Sequence, residues 1–100
     1  MSSTISKITL AETETIAQIE VLYEKLLQAW DVGQQTEIDA ANVARIDTAA
    51  LQCLVIFHRS QQKRNVPVTI DFPSEVFVNA AKMLGVAETL AVNQQASGLF

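Results

Sequence analysis

Asn42 to Asn65 reads NVARIDTAALQCLVIFHRSQQKRN, and the way this stretch divides decides the fold. From Ala49 to Lys63 there is no Gly or Pro. Leu51, Leu54, Val55 and His58 recur on one helical face, and basic residues fill the last turn, where they suit the helix dipole. That segment is a helix. Asp47-Thr48-Ala49-Ala50 stands where an extended run turns into it. Asp and Thr are both N-cap residue types, and either can accept from the first free N–H groups of the helix.

Working outward, Val66, Val68, Ile70 and Phe72 alternate with Pro67, Thr69, Asp71 and Pro73, the pattern of a strand. Ser74 is a natural N-cap for a third helix carrying Phe77, Ala80, Ala81 and Leu84, and Gly85 ends it. Thr89 to Val92 reads as one more short strand, and residues 93–100 as a tail. Upstream, Ile5 to Leu10 alternates as a strand with one wetter face. Thr15 to Gln18 has capping-box spacing, followed at helical intervals by Ile16, Ile19, Leu22, Tyr23, Leu26 and Trp30, with a stop near Gly33. Thr36 to Ala40 alternates again.

The order is β-α-β-α-β-α with a closing β. Such alternation implies parallel strands joined by crossovers, hence an α/β domain. The expectation is one domain with its core over about residues 5–92, a mostly parallel four-stranded sheet and about three helices. Because each strand has a polar face, the helices should cover chiefly one side of that sheet.

The 100 residues carry a formal charge of −4, and half of them are apolar. A scattered set of seven Lys and Arg cannot neutralise a row of phosphates, so nucleic acid is excluded as a partner. No apolar run approaches the roughly 20 residues that span a bilayer, and the first residues lack the parts of a signal peptide. The expected compartment is the cytoplasm. Cys53, alone and among Leu51, Leu54 and Val55, reads as a small buried hydrophobe.

Reactive chemistry is scarce. One Cys and one His cannot build a zinc site, and three separated glycines do not make a phosphate loop. His58 lies about ten residues, or about 15 Å of helix, from Thr48 and cannot serve it as a base. The carboxylate pairs Glu12/Glu14, Glu37/Asp39 and Asp47/Asp71 read as solvated strand edges and loop ends. No catalytic residue, metal or cofactor is expected, and the chain is read as a non-enzyme.

What remains is the Asp47-Thr48 joint. A phosphate on Thr48 would lie beside the free N–H groups and the positive end of the dipole, while Asp47 would be repelled by the new charge of about −1.5 to −2. Such a residue switches a surface without disturbing the core. Helix two is also apolar beyond its core stripe, at Ala49, Ala50, Cys53, Ile56 and Phe57, so one side could meet a partner or a second copy in a homodimer.

IDAANVARIDTAALQCLVIF, residues 38–57, resembles the central segment of STAS domains, the family of bacterial anti-sigma factor antagonists. Their pattern is an extended run, a polar link, then Asp, Ser or Thr, two small residues and an aliphatic one opening a helix. Asp47-Thr48-Ala49-Ala50-Leu51 is similar to that motif, and the likeness extends from about Ile8 to Leu90. The resemblance implies that Thr48 is phosphorylated by a partner kinase. It also implies that Asp47, Thr48, Ala49 and Ala50, with the acidic residues Glu12 and Glu14 of the preceding loop, form the partner surface. Where the family has a Gly turn before those acids, this chain has Leu10-Ala11-Glu12.

The partner implied first is a kinase-like anti-sigma factor, bound when Thr48 is free and released when it carries phosphate. A second class of small STAS proteins sits constitutively on the ATPase subunit of lipid-transport ABC complexes, and a third serves other signalling pathways such as chemotaxis.

Overall fold

The computed structural model describes residues 5–92. The chain runs β1 (Ser6–Thr9), β2 (Thr13–Glu14), a 3-10 turn (Ile16–Gln18), α1 (Ile19–Val32), β3 (Thr36–Asp39), β4 (Arg45–Ile46), α2 (Thr48–Lys63), β5 (Val68–Asp71) and α3 (Glu75–Leu84). The tail expected at residues 93–100 lies outside the described residues.

The three longer strands form one parallel sheet in the order β1-β3-β5. Its register places Ile8, Ile38 and Ile70 side by side, each 6% exposed or less. Lys7, Glu37 and Thr69 form the row beside them, and Thr9, Asp39 and Asp71 the next odd row. Because side chains alternate between faces, the apolar row receives the helices and the polar rows stay on the other face. Among the described residues the sheet has the one-sided coverage expected from the strand patterns.

The sheet is smaller than expected. Instead of four strands in one sheet there are three, with a separate two-stranded parallel ribbon in which Thr13 and Glu14 pair with Arg45 and Ile46. The segment read as a fourth strand, Thr89 to Val92, is instead a helical turn. Leu90 donates to Val86 O at 3.0 Å and Val92 to Ala87 O at 3.0 Å, so local bonds absorb the donors that a strand would have spent on a neighbour. Ala87, Leu90 and Val92 are all buried, which alternation alone could not distinguish from a strand.

The entry to α1 also differs. Thr15 Oγ1 donates to Gln18 Oε1 at 2.7 Å, so the two side chains that would have made a capping box bond to each other and neither caps a backbone N–H. The first turn is accordingly 3-10 and α1 begins at Ile19. Its buried face is Leu22, Leu26 and Ala29, with Ile19 and Trp30 partly buried. Ile16 and Tyr23, expected in that face, are exposed.

α2 buries Ala50, Leu51, Leu54, Val55, Phe57 and Gln61. Two of the residues read as a separate apolar side, Ala50 and Phe57, therefore belong to the core, and only Ile56 stands well clear of it at 65% exposure. Cys53 is half-buried in an apolar groove between α1 and α2, beside Leu26, Leu27 and Phe57, and burial pushes its thiol pKa up. α3 is capped at both ends as expected: Ser74 Oγ accepts from Phe77 N at 3.1 Å, and Gly85 terminates it at φ +82°.

Candidate functional site

Asp47 and Thr48 divide the work at the start of α2. Asp47, with φ −113° and ψ 178°, is the N-cap, and its Oδ1 accepts from Ala50 N at 3.0 Å. Its Oδ2 accepts from Ile16 N at 2.8 Å, so the same carboxylate ties the first turn of α2 to the 3-10 turn that leads into α1. These N–H groups, Ala50 first and Ile16 second, hold the Asp47 pKa below the ordinary aspartate value against a smaller opposing effect of desolvation. The charged form is the working form.

Thr48, the first helical residue, is exposed. Nothing among the described residues hydrogen-bonds its hydroxyl. Since Asp47 does the capping, the Thr48 hydroxyl is not needed for it, and the dipole of a 16-residue helix opens beside it. Ala50 is completely buried and Ala49 half-buried, so of the four residues at the joint it is Thr48 that faces outward.

The two acidic loop residues separate. Glu12 is exposed, and its backbone carbonyl accepts from both Ala44 N at 2.8 Å and Arg45 N at 3.0 Å. Glu14 is 4% exposed, and its Oε2 accepts from Ala11 N at 2.7 Å. That bond closes the Ala11–Glu14 loop without a glycine: a carboxylate takes the amide. The Glu14 carbonyl then accepts from Asp47 N at 3.2 Å, so the loop and the joint are bonded neighbours. Glu12 offers its carboxylate to solvent, whereas Glu14 sets the shape of the surface from within.

Sequence reading missed the contribution of α3. A cleft of about 370 Å³ adjoins Thr48, lined by Ile46, Asp47, Thr48 and Leu51 on one side and by Ala80, Met83 and Leu84 of α3 on the other. Met83 is 89% exposed, an unusual place for a large thioether side chain. The available signal was that α3 is apolar on more than one side: Val76 and Met83 repeat at i and i+7, off the Phe77/Ala81 stripe that enters the core. The site thus combines an exposed hydroxyl at a helix N-terminus with an apolar cleft. Among the described residues no group of three His, Cys, Asp or Glu is placed to hold a metal ion, and no helix is long and apolar enough to cross a membrane.

A one-sided parallel α/β domain that presents a helix N-terminus, a spare hydroxyl and an apolar cleft has the form of a binding module. Residues 2–93 match the family model described as "Mlab, STAS domain", and the chain belongs to the STAS domain family. No curated protein matches it. STAS domains are typically binding modules without enzymatic activity that mediate protein–protein interactions, and this chain is a regulatory or binding module of that general kind.

Proposed function

We propose that the chain docks a protein partner through the N-terminus of α2 and that phosphorylation of Thr48 releases it. The observation that carries this reading is the division of labour at the joint, where Asp47 caps the helix and the exposed Thr48 hydroxyl has no hydrogen bond among the described residues. Thr48 forms the centre of the surface with Asp47 and Ala49 beside it, while Ala50, expected there from the sequence, is completely buried and supports the surface from the core. Glu12 lies at its edge, Glu14 positions the loop beneath it, and the cleft against Met83 accepts an apolar side chain.

The partner of this reading is a kinase-like anti-sigma factor. A phosphate at the centre of a close-packed contact adds about −1.5 to −2 of charge beside the Asp47 carboxylate. Desolvating that charge without a cation costs a few kcal/mol, and each 1.4 kcal/mol is about tenfold in affinity. The unphosphorylated chain is the binding form.

A second reading keeps the surface and removes the switch: the chain is a constitutive subunit seated on the ATPase of a lipid-transport complex, with Thr48 as a contact. The description of the matched family as a Mlab-type STAS domain favours it. Both readings place the protein in the cytoplasm.

Affinity purification from the source cells, using wild type, Thr48→Val and Thr48→Glu with phosphopeptide mapping of the retained chain, separates them. A kinase-like protein held by wild type and lost by Thr48→Glu, with phosphate mapped to Thr48, establishes the switch. A transport ATPase retained in stoichiometric amount by wild type and weakened by both substitutions, with Thr48 unmodified, establishes the subunit. Retention indifferent to both substitutions removes Thr48 from the interface and sinks both readings.

A further inference from the structure

Among the described residues β1 is one edge of the three-stranded sheet, β5 the other. In a parallel ladder alternate residues of a strand spend their backbone groups on one neighbour. Ser6 N donates to Gln35 O at 2.8 Å and Leu10 N to Asp39 O at 2.9 Å, so Ser6, Ile8 and Leu10 serve β3. Lys7 and Thr9 therefore turn their N–H and C=O groups outward. Among the described residues the one group that meets them is Lys25 of α1, whose Nζ lies 3.4 Å from Thr9 O. A cleft of about 390 Å³ follows this edge, walled by β1 on one side and by Lys25, Ala29 and Val32 of α1 on the other.

Charge narrows what fits there. The chain as a whole is acidic, at −4, yet the charged groups lining this edge are the cations Lys7 and Lys25, while the acids Glu37 and Asp39 of the polar face lie one strand further in on β3. The nearest acid to Lys7 is Glu37, at 4.0 Å, and the Lys7 side chain is 76% exposed, so this solvated pair leaves most of its charge free to attract another. Two copies joined β1 to β1 would bring lysines against lysines, which opposes pairing, and edge lysines commonly have that effect.

We propose that the β1 edge receives an extended acidic segment of a partner protein as an added strand. Lys7 and Thr9 supply the main-chain hydrogen bonds, Lys7 selects for carboxylates on the polar face, and Lys25, on the helix side, adds its positive charge to the field at the edge. Because side chains of the added strand alternate between faces, those on the polar face of the sheet meet Lys7. Those on the helix side meet Ala29 and Val32. The segment therefore alternates acidic with aliphatic residues. This site uses none of the residues of the Thr48 surface and does not depend on the reading given to it.

The test uses the full chain and two capped synthetic hexapeptides, Asp-Val-Glu-Val-Asp-Val and Lys-Val-Lys-Val-Lys-Val, titrated while backbone amides are followed by NMR. The acidic peptide is expected to shift the amides of Lys7 and Thr9 and slow their exchange with solvent, with affinity falling as salt rises. Lys7→Glu combined with Lys25→Glu should weaken it by roughly tenfold or more, since two attractive exposed contacts become repulsive. Changes confined to other elements overturn the proposal. So does equal binding of the basic peptide, or sedimentation showing that β1 already pairs with a second copy. Should the double variant fail to fold, the contrast between the two peptides on the unaltered chain still decides.

Discussion

Ile16 donates its backbone N–H to Asp47 Oδ2 at 2.8 Å across 31 positions of sequence, while the other oxygen of the same carboxylate caps α2 at Ala50. The charge strengthens both bonds, and they hold the Asp47 pKa down. The sign of the pH effect follows. The unfolded chain takes up a proton at the ordinary aspartate value of about 3.9, and the native chain resists it until lower pH. The stabilisation is complete above about pH 4 and is lost as pH falls through the native value. Asp47→Asn should therefore be less stable than wild type at neutral pH, with the gap closing in acid. Denaturant midpoints of both proteins across that range check this, and a gap that does not narrow would show that the carboxylate charge is irrelevant to the clamp.

Thr48 predicts the opposite behaviour. It is exposed, and its hydroxyl holds nothing among the described residues, so Thr48→Ala should change stability by no more than about 0.5 kcal/mol. Thr48→Glu places a negative side chain in the first helical turn, where the dipole is worth about 0.3–1 kcal/mol; repulsion from Asp47 offsets part of this. Thermal unfolding of the three proteins should give nearly superimposable curves. That result is what allows any loss of partner binding in Thr48→Glu to be read as a surface effect, and a marked fall in Tm would return Thr48 to the role of a helix cap.

Much of this was legible in the residues. Strands β1, β3 and β5 followed from alternation, and α2 and α3 from period and caps, because in each the local preference and the tertiary demand agree. The Asp47-Thr48 joint was visible as a pair of capping types, but not which of the two would cap. That depended on Ile16, a residue of another element whose N–H needed an acceptor. Glu12 and Glu14 look alike in sequence and differ in the fold because one carboxylate was captured by the Ala11 amide. The short β2–β4 ribbon was beyond reach for a similar reason: strands of two residues carry no period. Met83 escaped because an apolar residue on an amphipathic helix is ordinarily read as core.

Trp30 and Arg64 join the far ends of α1 and α2. The Arg64 guanidinium carbon lies 3.9 Å from the centroid of the Trp30 ring, and Nη1 donates to Trp30 O at 3.0 Å and to Gln61 Oε1 at 3.1 Å. Gln61 is completely buried. Lysine has no planar group to lie over the ring while one nitrogen makes both bonds, so Arg64→Lys should lose about 1 kcal/mol and Arg64→Ala about 1–3 kcal/mol. A double-mutant cycle with Trp30→Leu should return a coupling of about 0.5–1 kcal/mol. The absence of coupling would show the ring contact to be incidental.

Gly33 sits under the same arginine. It ends α1 at φ +73°, and a Cβ there would come within 3.1 Å of Arg64 Nη2. The left-handed backbone alone costs a residue with a Cβ about 1–2 kcal/mol, and Arg64 must shift a few tenths of an ångström besides. Gly33→Ala should therefore lower Tm by several degrees, at about 4–8 °C per kcal/mol for a chain of this size. Placed in the Arg64→Ala background the same substitution should cost less, because the crowding is gone and only the backbone penalty remains. Equal costs in the two backgrounds would show that the arginine yields freely.

His58 gives a second, separate pH effect. It is half-buried on α2, its Nδ1 is shielded from solvent without a hydrogen-bond partner among the described residues, and desolvation lowers its pKa. In the unfolded chain the imidazole titrates near its ordinary value of about 6.5. Below that pH the unfolded state binds a proton that the native state refuses, so native stability falls as the medium is acidified and levels off only below the native pKa. His58→Leu removes the titrating group while keeping a side chain that tolerates burial. Relative to wild type, the variant should therefore gain stability steadily as pH drops from about 7 towards 5. Chemical denaturation at intervals over that range reads the difference directly, and NMR titration of the imidazole ring locates the native pKa. A difference curve that stays flat would mean that His58 opens to water in the native state and carries its proton there as freely as in the unfolded chain.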